Sequence, residues 1–179
     1  MTGIREKQLC DDWGVNWPSA IQLEETDTPN GKAVRVPDSA SAVYGPSRCA
    51  WCYGAPGIAR ALWLAGEALD REDYRGLAIS AMEAVFRRPI AQRSIPSPTF
   101  CHGIARLLQI SLRFANDTGR PVFDEEGRLL IEQLLDRYHP DSLLGFRAVE
   151  VEDREVDQPG LLDGDSRSCP GPVSSRHRS

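Results

Sequence analysis

Gly54-Ala55-Pro56-Gly57-Ile58-Ala59-Arg60-Ala61-Leu62 returns, once extra turn residues are removed, as Gly103-Ile104-Ala105-Arg106-Leu107-Leu108. Gln158-Pro159-Gly160-Leu161-Leu162-Asp163-Gly164 reads as the opening of a third unit. Gly54, Gly103 and Gly164 lie 49 and 61 residues apart, a spacing that fits helical hairpins. A helical hairpin cannot bury its apolar face alone and needs neighbours, or closure into a ring. Two units and a fraction are too few to close one. The sequence therefore predicts a core that a partner chain or a missing portion completes.

Helical periodicity fills the middle of the chain. Ile58, Ala61, Leu62, Ala65 and Leu69 follow the i, i+3, i+4, i+7 spacing of one face, with Pro56 near the helix start. A second helix is expected from about Asp73 to Arg87 on Leu77, Ala81, Met82 and Val85, stopped by Pro89. A third runs from Gly103 to about Asn116 on Ile104, Leu107, Leu108, Ser111 and Ala115. The fourth, near Asp124 to Tyr138, uses Leu130, Ile131, Leu134 and Leu135. Residues 1–47 are rich in turn formers, with one short strand at Ala33-Val34-Arg35-Val36, and read as a long connection leaning on an existing core. Residues 48–164 form the helical-hairpin unit. Residues 165–179, rich in Ser and Arg, are expected to be disordered. The fold class is all-α.

Composition narrows the function. At 179 residues the chain makes one domain with a core, and 41% hydrophobic with 26% charged residues is a globular balance. A formal charge of −5 without a basic stripe argues against a nucleic-acid partner. No apolar run approaches the roughly 20 residues of a membrane span. Met1 to Asp12 carry no signal-peptide pattern. The expectation is a cytoplasmic protein whose five cysteines are free, buried or metal-bound rather than disulfide-bonded.

Cys52 in Trp51-Cys52-Tyr53-Gly54 and the pair Cys101-His102 in Phe100-Cys101-His102-Gly103 each precede a helix. A helix start favours the thiolate. If equivalent helices run parallel, the three side chains converge, and two sulfurs with one imidazole are a ligand set for Zn²⁺ with a fourth position open. Cysteine also fills cores without any chemistry, and spacing alone leaves both readings open.

Other groups read more plainly. Cys49-Ala50-Trp51-Cys52 is a C-x-x-C, but no strand suited to a thioredoxin-like unit precedes it. Cys49 could instead close the metal site as a fourth ligand. His139 is expected as an exposed helix cap and His177 as solvated. Glu125-Glu126 should serve a helix dipole, and Glu150, Glu152, Asp153, Glu155 and Asp157 a solvated face. Cys10 and Cys169 lack ligand-type neighbours. Trp51 and Tyr53 flank a candidate ligand and could line a substrate groove, though packing is the expectation.

Trp51-Cys52-Tyr53-Gly54-Ala55-Pro56-Gly57, Cys101-His102-Gly103 and Pro159-Gly160-Leu161-Leu162-Asp163-Gly164 resemble successive motifs of the lanthionine synthetase C-like cyclases. The resemblance runs from about Trp17 to Gly164. It implies a partial α/α toroid with one Zn²⁺ held by Cys52, Cys101 and His102. The implied reaction adds a peptide cysteine thiolate to a dehydroalanine or dehydrobutyrine of a ribosomally made, previously dehydrated precursor peptide. The implied partners are that peptide and a dehydratase. Family cyclases are roughly double this length and carry an aspartate and a histidine upstream, whereas no histidine precedes Trp51 here. A C-terminal portion, weak or inactive alone, is the expectation. The alternative is a non-enzymatic zinc-bearing module that binds thiol peptides or glutathione.

Overall fold

The computed structural model describes residues 7–20, 23–29, 31–35, 47–52, 54–142, 144–149, 154–158 and 160. Tyr53, the third-unit opening apart from Gln158 and Gly160, and the tail expected to be disordered lie outside the described residues.

Helix α1 (Ala55–Leu69) packs on α2 (Glu72–Arg87), and α3 (Ile104–Thr118) packs on α4 (Pro121–Leu135). The links inside each pair are short, so the paired helices must run antiparallel. Asp70 ends α1 in the left-handed region at φ 49°, and the Arg71 N–H returns to the Gly66 carbonyl at 2.9 Å. Gly119 ends α3 at φ 63°, its N–H on the Ala115 carbonyl, and Pro121 opens α4. Two helical hairpins side by side make a segment of an α/α toroid. Among the described residues no helix is long and apolar enough to cross a membrane.

Four aromatic rings join the four helices. Trp63 of α1 meets Phe114 of α3 edge-on at 5.8 Å between centroids. Phe114 meets Phe123 of α4 at 5.4 Å, and Phe123 meets Phe86 of α2 at 6.2 Å. Such pairs contribute about 0.5–1.5 kcal/mol beyond their area. Leu62, Met82, Leu107 and Leu130 fill the space around them and are essentially fully buried. Each contributes about 1.5–3 kcal/mol by leaving water.

The face of α1 differs from the one its large residues suggest. Ala55, Pro56, Ala59, Leu62, Trp63 and Gly66 are buried, while Ala61 and Leu69 are exposed. Small residues face α2 because the helices approach closely there: a β-carbon at Gly66 would meet Arg75 Cγ at 2.8 Å and the Arg71 carbonyl at 3.1 Å. On α4, Leu130 is buried, but Ile131 and Leu135 are exposed by 42% and 65%. That helix also begins and ends earlier than its periodicity implies.

The N-terminal segment holds more strand than expected. β1 (Leu9–Asp11) pairs with β2 (Gly14–Asn16), and β3 (Glu24–Thr28) with β4 (Gly31–Arg35), both antiparallel. Gly14 and Gly31 leave their turns at φ 125° and 117°. Glu24-Glu25-Thr26-Asp27-Thr28 is polar throughout, so it carries no alternation to signal a strand. The first hairpin does lean on the helices: Arg87 Nε donates to the Trp13 carbonyl at 2.8 Å and Trp17 is buried in the core. A last pair, β5 (Ala148–Val149) and β6 (Glu155–Val156), follows α4.

The loops that open α1 and α3 share one backbone path. A β-carbon on Gly54 would lie 2.1 Å from the Arg48 carbonyl oxygen and 2.5 Å from that of Ala50. On Gly103 it would lie 2.2 Å from the Ser97 oxygen and 2.4 Å from that of Thr99. The offsets in sequence are identical, and both helices start on the next residue, so no turn residues are extra in the first unit. We expect Gly54→Ala and Gly103→Ala each to lower stability by at least about 2 kcal/mol in urea unfolding. Gly76→Ala, on an open face of α2 with nothing within 4 Å, should raise it by about 0.5–1 kcal/mol.

Candidate metal centre

Each loop that carries a candidate ligand is anchored at its base. The Ser47 N–H donates to the Trp17 carbonyl at 3.0 Å, and Ser47 Oγ reaches the buried Asn16 Oδ1 at 3.2 Å. Asn16 in turn donates to Asp11. The Cys49 N–H donates to the Arg93 carbonyl at 2.9 Å. In the second loop, the Ile104 N–H donates to the Ser97 carbonyl at 2.9 Å, and Ser97 Oγ accepts from the Val149 N–H at 3.2 Å.

These anchors bring the loop tips together. Cys52 Sγ lies 3.3 Å from His102 Nδ1 and 3.7 Å from the Cys101 carbonyl oxygen. Cys101 Sγ lies 3.9 Å from His102 Nε2. One ligand atom from each of the three residues falls within 4.8 Å of the others, and no other described residues form such a group. Tetrahedral zinc with Zn–S of about 2.3 Å and Zn–N of about 2.0 Å sets its ligand atoms roughly 3.5–3.8 Å apart. The two short contacts use different ring nitrogens, of which one would bind the ion, so the fit rests on the donor set of two soft sulfurs and an imidazole. Cys52 is exposed and the other two are half-buried, which leaves the cluster reachable from solvent.

A cavity of about 330 Å³ adjoins His102 and is lined also by Arg48, Pro96, Thr99, Val149 and Gln158. The sequence marked Gln158 only as the opening of the third unit, not as a site residue, and did not mark Arg48. Arg48 sits four residues before Cys52 with no motif to mark it, and Gln158 arrives from 56 positions beyond His102.

Cys49 belongs to the core instead. It is 1% exposed, and Arg88 Nη1 donates to its sulfur at 3.4 Å. Burial pushes its thiol pKa up, and the charge and hydrogen bond of Arg88 pull it only part of the way back. Arg88 also pairs with Asp11, and Arg93 with Glu126 at 3.1 Å. Glu126 thus serves a buried arginine rather than a helix dipole. The His139 ring lies 3.5 Å from Glu155, and Asp157 accepts from Ser142 Oγ. Glu150, Glu152, Asp153, Cys169 and His177 lie outside the described residues.

The model of the lanthionine synthetase C-like protein family matches residues 4–166. The chain belongs to the lanthionine synthetase C-like family. Nisin biosynthesis protein NisC of Lactococcus lactis subsp. lactis is 34% identical over 102 residues, a stretch covering 55% of this chain and 24% of that protein. A solved structure of nisin cyclase is 29% identical, covers 67% of this chain and 26% of that one, and superposes with a TM-score of 0.48. The matched stretch thus spans about a quarter of each relative's length. In this lanthionine synthetase C-like chain, the cluster stands on the first two of the three motifs that carried the sequence resemblance.

Iodoacetamide should modify Cys10 and Cys52 of the native chain well before Cys49, which should react only on unfolding. One equivalent of zinc added first should protect Cys52 and leave the rate at Cys10 unchanged. Peptide mass mapping reads both effects.

Proposed function

We propose that Cys52, Cys101 and His102 hold Zn²⁺ and that a cysteine of a dehydrated, ribosomally made peptide takes the open position. The chain would thereby activate that thiol for thioether ring formation. The convergence of three soft donors from two separate loops supports this reading most directly. The chemistry that zinc supplies when bound is removal of the proton from an incoming thiol, leaving a sulfur nucleophile at neutral pH.

The chain's own groups do the rest. The two cysteines and His102 set where the thiol arrives. The cavity beside His102 receives the acceptor peptide, with Arg48 and Gln158 as polar partners for its carbonyl. In the addition the sulfur bonds to the β-carbon of the dehydro residue, and the double-bond electrons move to the α-carbon and carbonyl. A proton then adds at the α-carbon, so the product equals the reactants in mass. The guanidinium of Arg48 is suited to the negative charge that builds on that carbonyl. His102, committed as a ligand, is not available as the acid. We therefore expect slow ring closure by the chain alone.

Exposure of Cys52 favours a second reading. A zinc-bearing module would hold a peptide thiol or glutathione at the same position without closing a ring.

Metal analysis of the purified chain beside Cys101→Ala tests the centre. One zinc per wild-type chain, lost in the variant, is expected; equal metal content in both would remove the proposal. Incubation with a dehydrated precursor peptide then separates the readings. Slow loss of alkylatable thiol at constant mass indicates ring closure, and zinc-dependent retention of the peptide with no thiol loss indicates binding only.

A further inference from the structure

Arg106 stands in the first turn of α3, three residues beyond Gly103. Its guanidinium carbon lies 4.6 Å from the centroid of the Trp51 ring and 4.4 Å from that of the Phe100 ring. Trp51 immediately precedes Cys52, and Phe100 immediately precedes Cys101. One cation thus touches the residue ahead of each cysteine, and it spans loops that are 49 positions apart in the chain. Nη1 donates to Gln109 Oε1 at 2.7 Å, which fixes the plane from the same helix. Nε is buried without a hydrogen-bond partner, so the group is held by ring faces more than by polar contacts.

A guanidinium over an aromatic face is attracted by the ring quadrupole and stacks on it as a plane. Stacking against both rings couples the two loops, and with them the separation of the two sulfurs. We propose that Arg106 is a positioning residue for the metal centre: its stacking on Trp51 and Phe100 holds Cys52 and Cys101 at ligating distance and so sets the affinity for zinc. This rests on the zinc reading given above. Groups that orient metal ligands from outside the coordination sphere are commonly worth about 10–100-fold in affinity.

Zinc affinity by competition with a chromogenic chelator, on the full chain, tests the idea. Arg106→Met should bind zinc about 10–100-fold more weakly than wild type. Arg106→Lys keeps the charge without the plane and should recover part of the loss. The cobalt-loaded wild type and Arg106→Met should differ in their thiolate-to-metal absorption bands, which a merely structural loss of stability would not move. Trp51→Leu and Phe100→Leu each remove one face, and each should weaken binding even if Arg106→Met fails to fold. Unchanged affinity in the folded variants, with zinc bound by the wild type, overturns the role of Arg106 and leaves the centre standing. Absence of zinc in the wild type overturns both.

Discussion

Two stretches of backbone turn inside the volume that a β-carbon would need, and the candidate centre depends on that crowding. At Gly54 the carbonyls of Arg48 and Ala50 close over the glycine, and at Gly103 those of Ser97 and Thr99 do the same. The residue two places before each glycine is a cysteine of the cluster. That residue is Cys52 in one loop and Cys101 in the other. Because the paths match, α1 and α3 each start on the residue after the crowded glycine. The groove between these helices carries the match downward. Gly57, Arg60, Ala61 and Leu64 of α1 line it opposite Arg106, Gln109, Ile110 and Arg113 of α3, each pair 49 positions apart. Parallel helices in register put their N-termini, and so the candidate ligands, at one end of the bundle.

The rest of the molecule holds those loops still. The aromatic series through Trp63, Phe114, Phe123 and Phe86 locks the four helices into one core. Beneath the first loop, Arg88 and Arg93 are each 4% exposed, and each is paired with a carboxylate. Buried charges cost free energy unless paired, so Asp11 and Glu126 offset a penalty more than they add stability. Their effect is geometric: Arg88 fixes the Cys49 sulfur and the Arg93 carbonyl fixes the Cys49 N–H. The N-terminal hairpin takes part through Asp11, Asn16 and Trp17. A segment that reads as loop is therefore part of the support for the Cys52 loop.

Reading the chain as a string located the four helices and the three ligand candidates, but it misjudged which surface of α1 is inside. The periodicity argument weighs large apolar residues, and Ile58 and Leu69 drew the face toward themselves. Close helix contact selects Ala55, Ala59 and Gly66, whose small size makes them weak signals in any pattern of hydrophobicity. The polar strand at Glu24–Thr28 was missed for a related reason, since an exposed hairpin has no buried side to mark its period. Arg106 and Gln158 entered only as members of the recurring units and Arg48 not at all, because their place at the site is set by segments far apart in the chain.

The sequence by itself determined the four helices, the 49-residue recurrence, and the presence of two cysteines and a histidine at helix starts. Those are properties of short stretches, governed by backbone preference, capping and the spacing of apolar residues. Only the tertiary structure decided that Cys49 turns into the core while Cys52 turns toward His102, although three positions separate them. It also decided that one arginine stacks against both cysteine loops. Both outcomes arise from contacts between segments far apart in the chain, where packing and charge pairing choose among directions that local preference leaves equal.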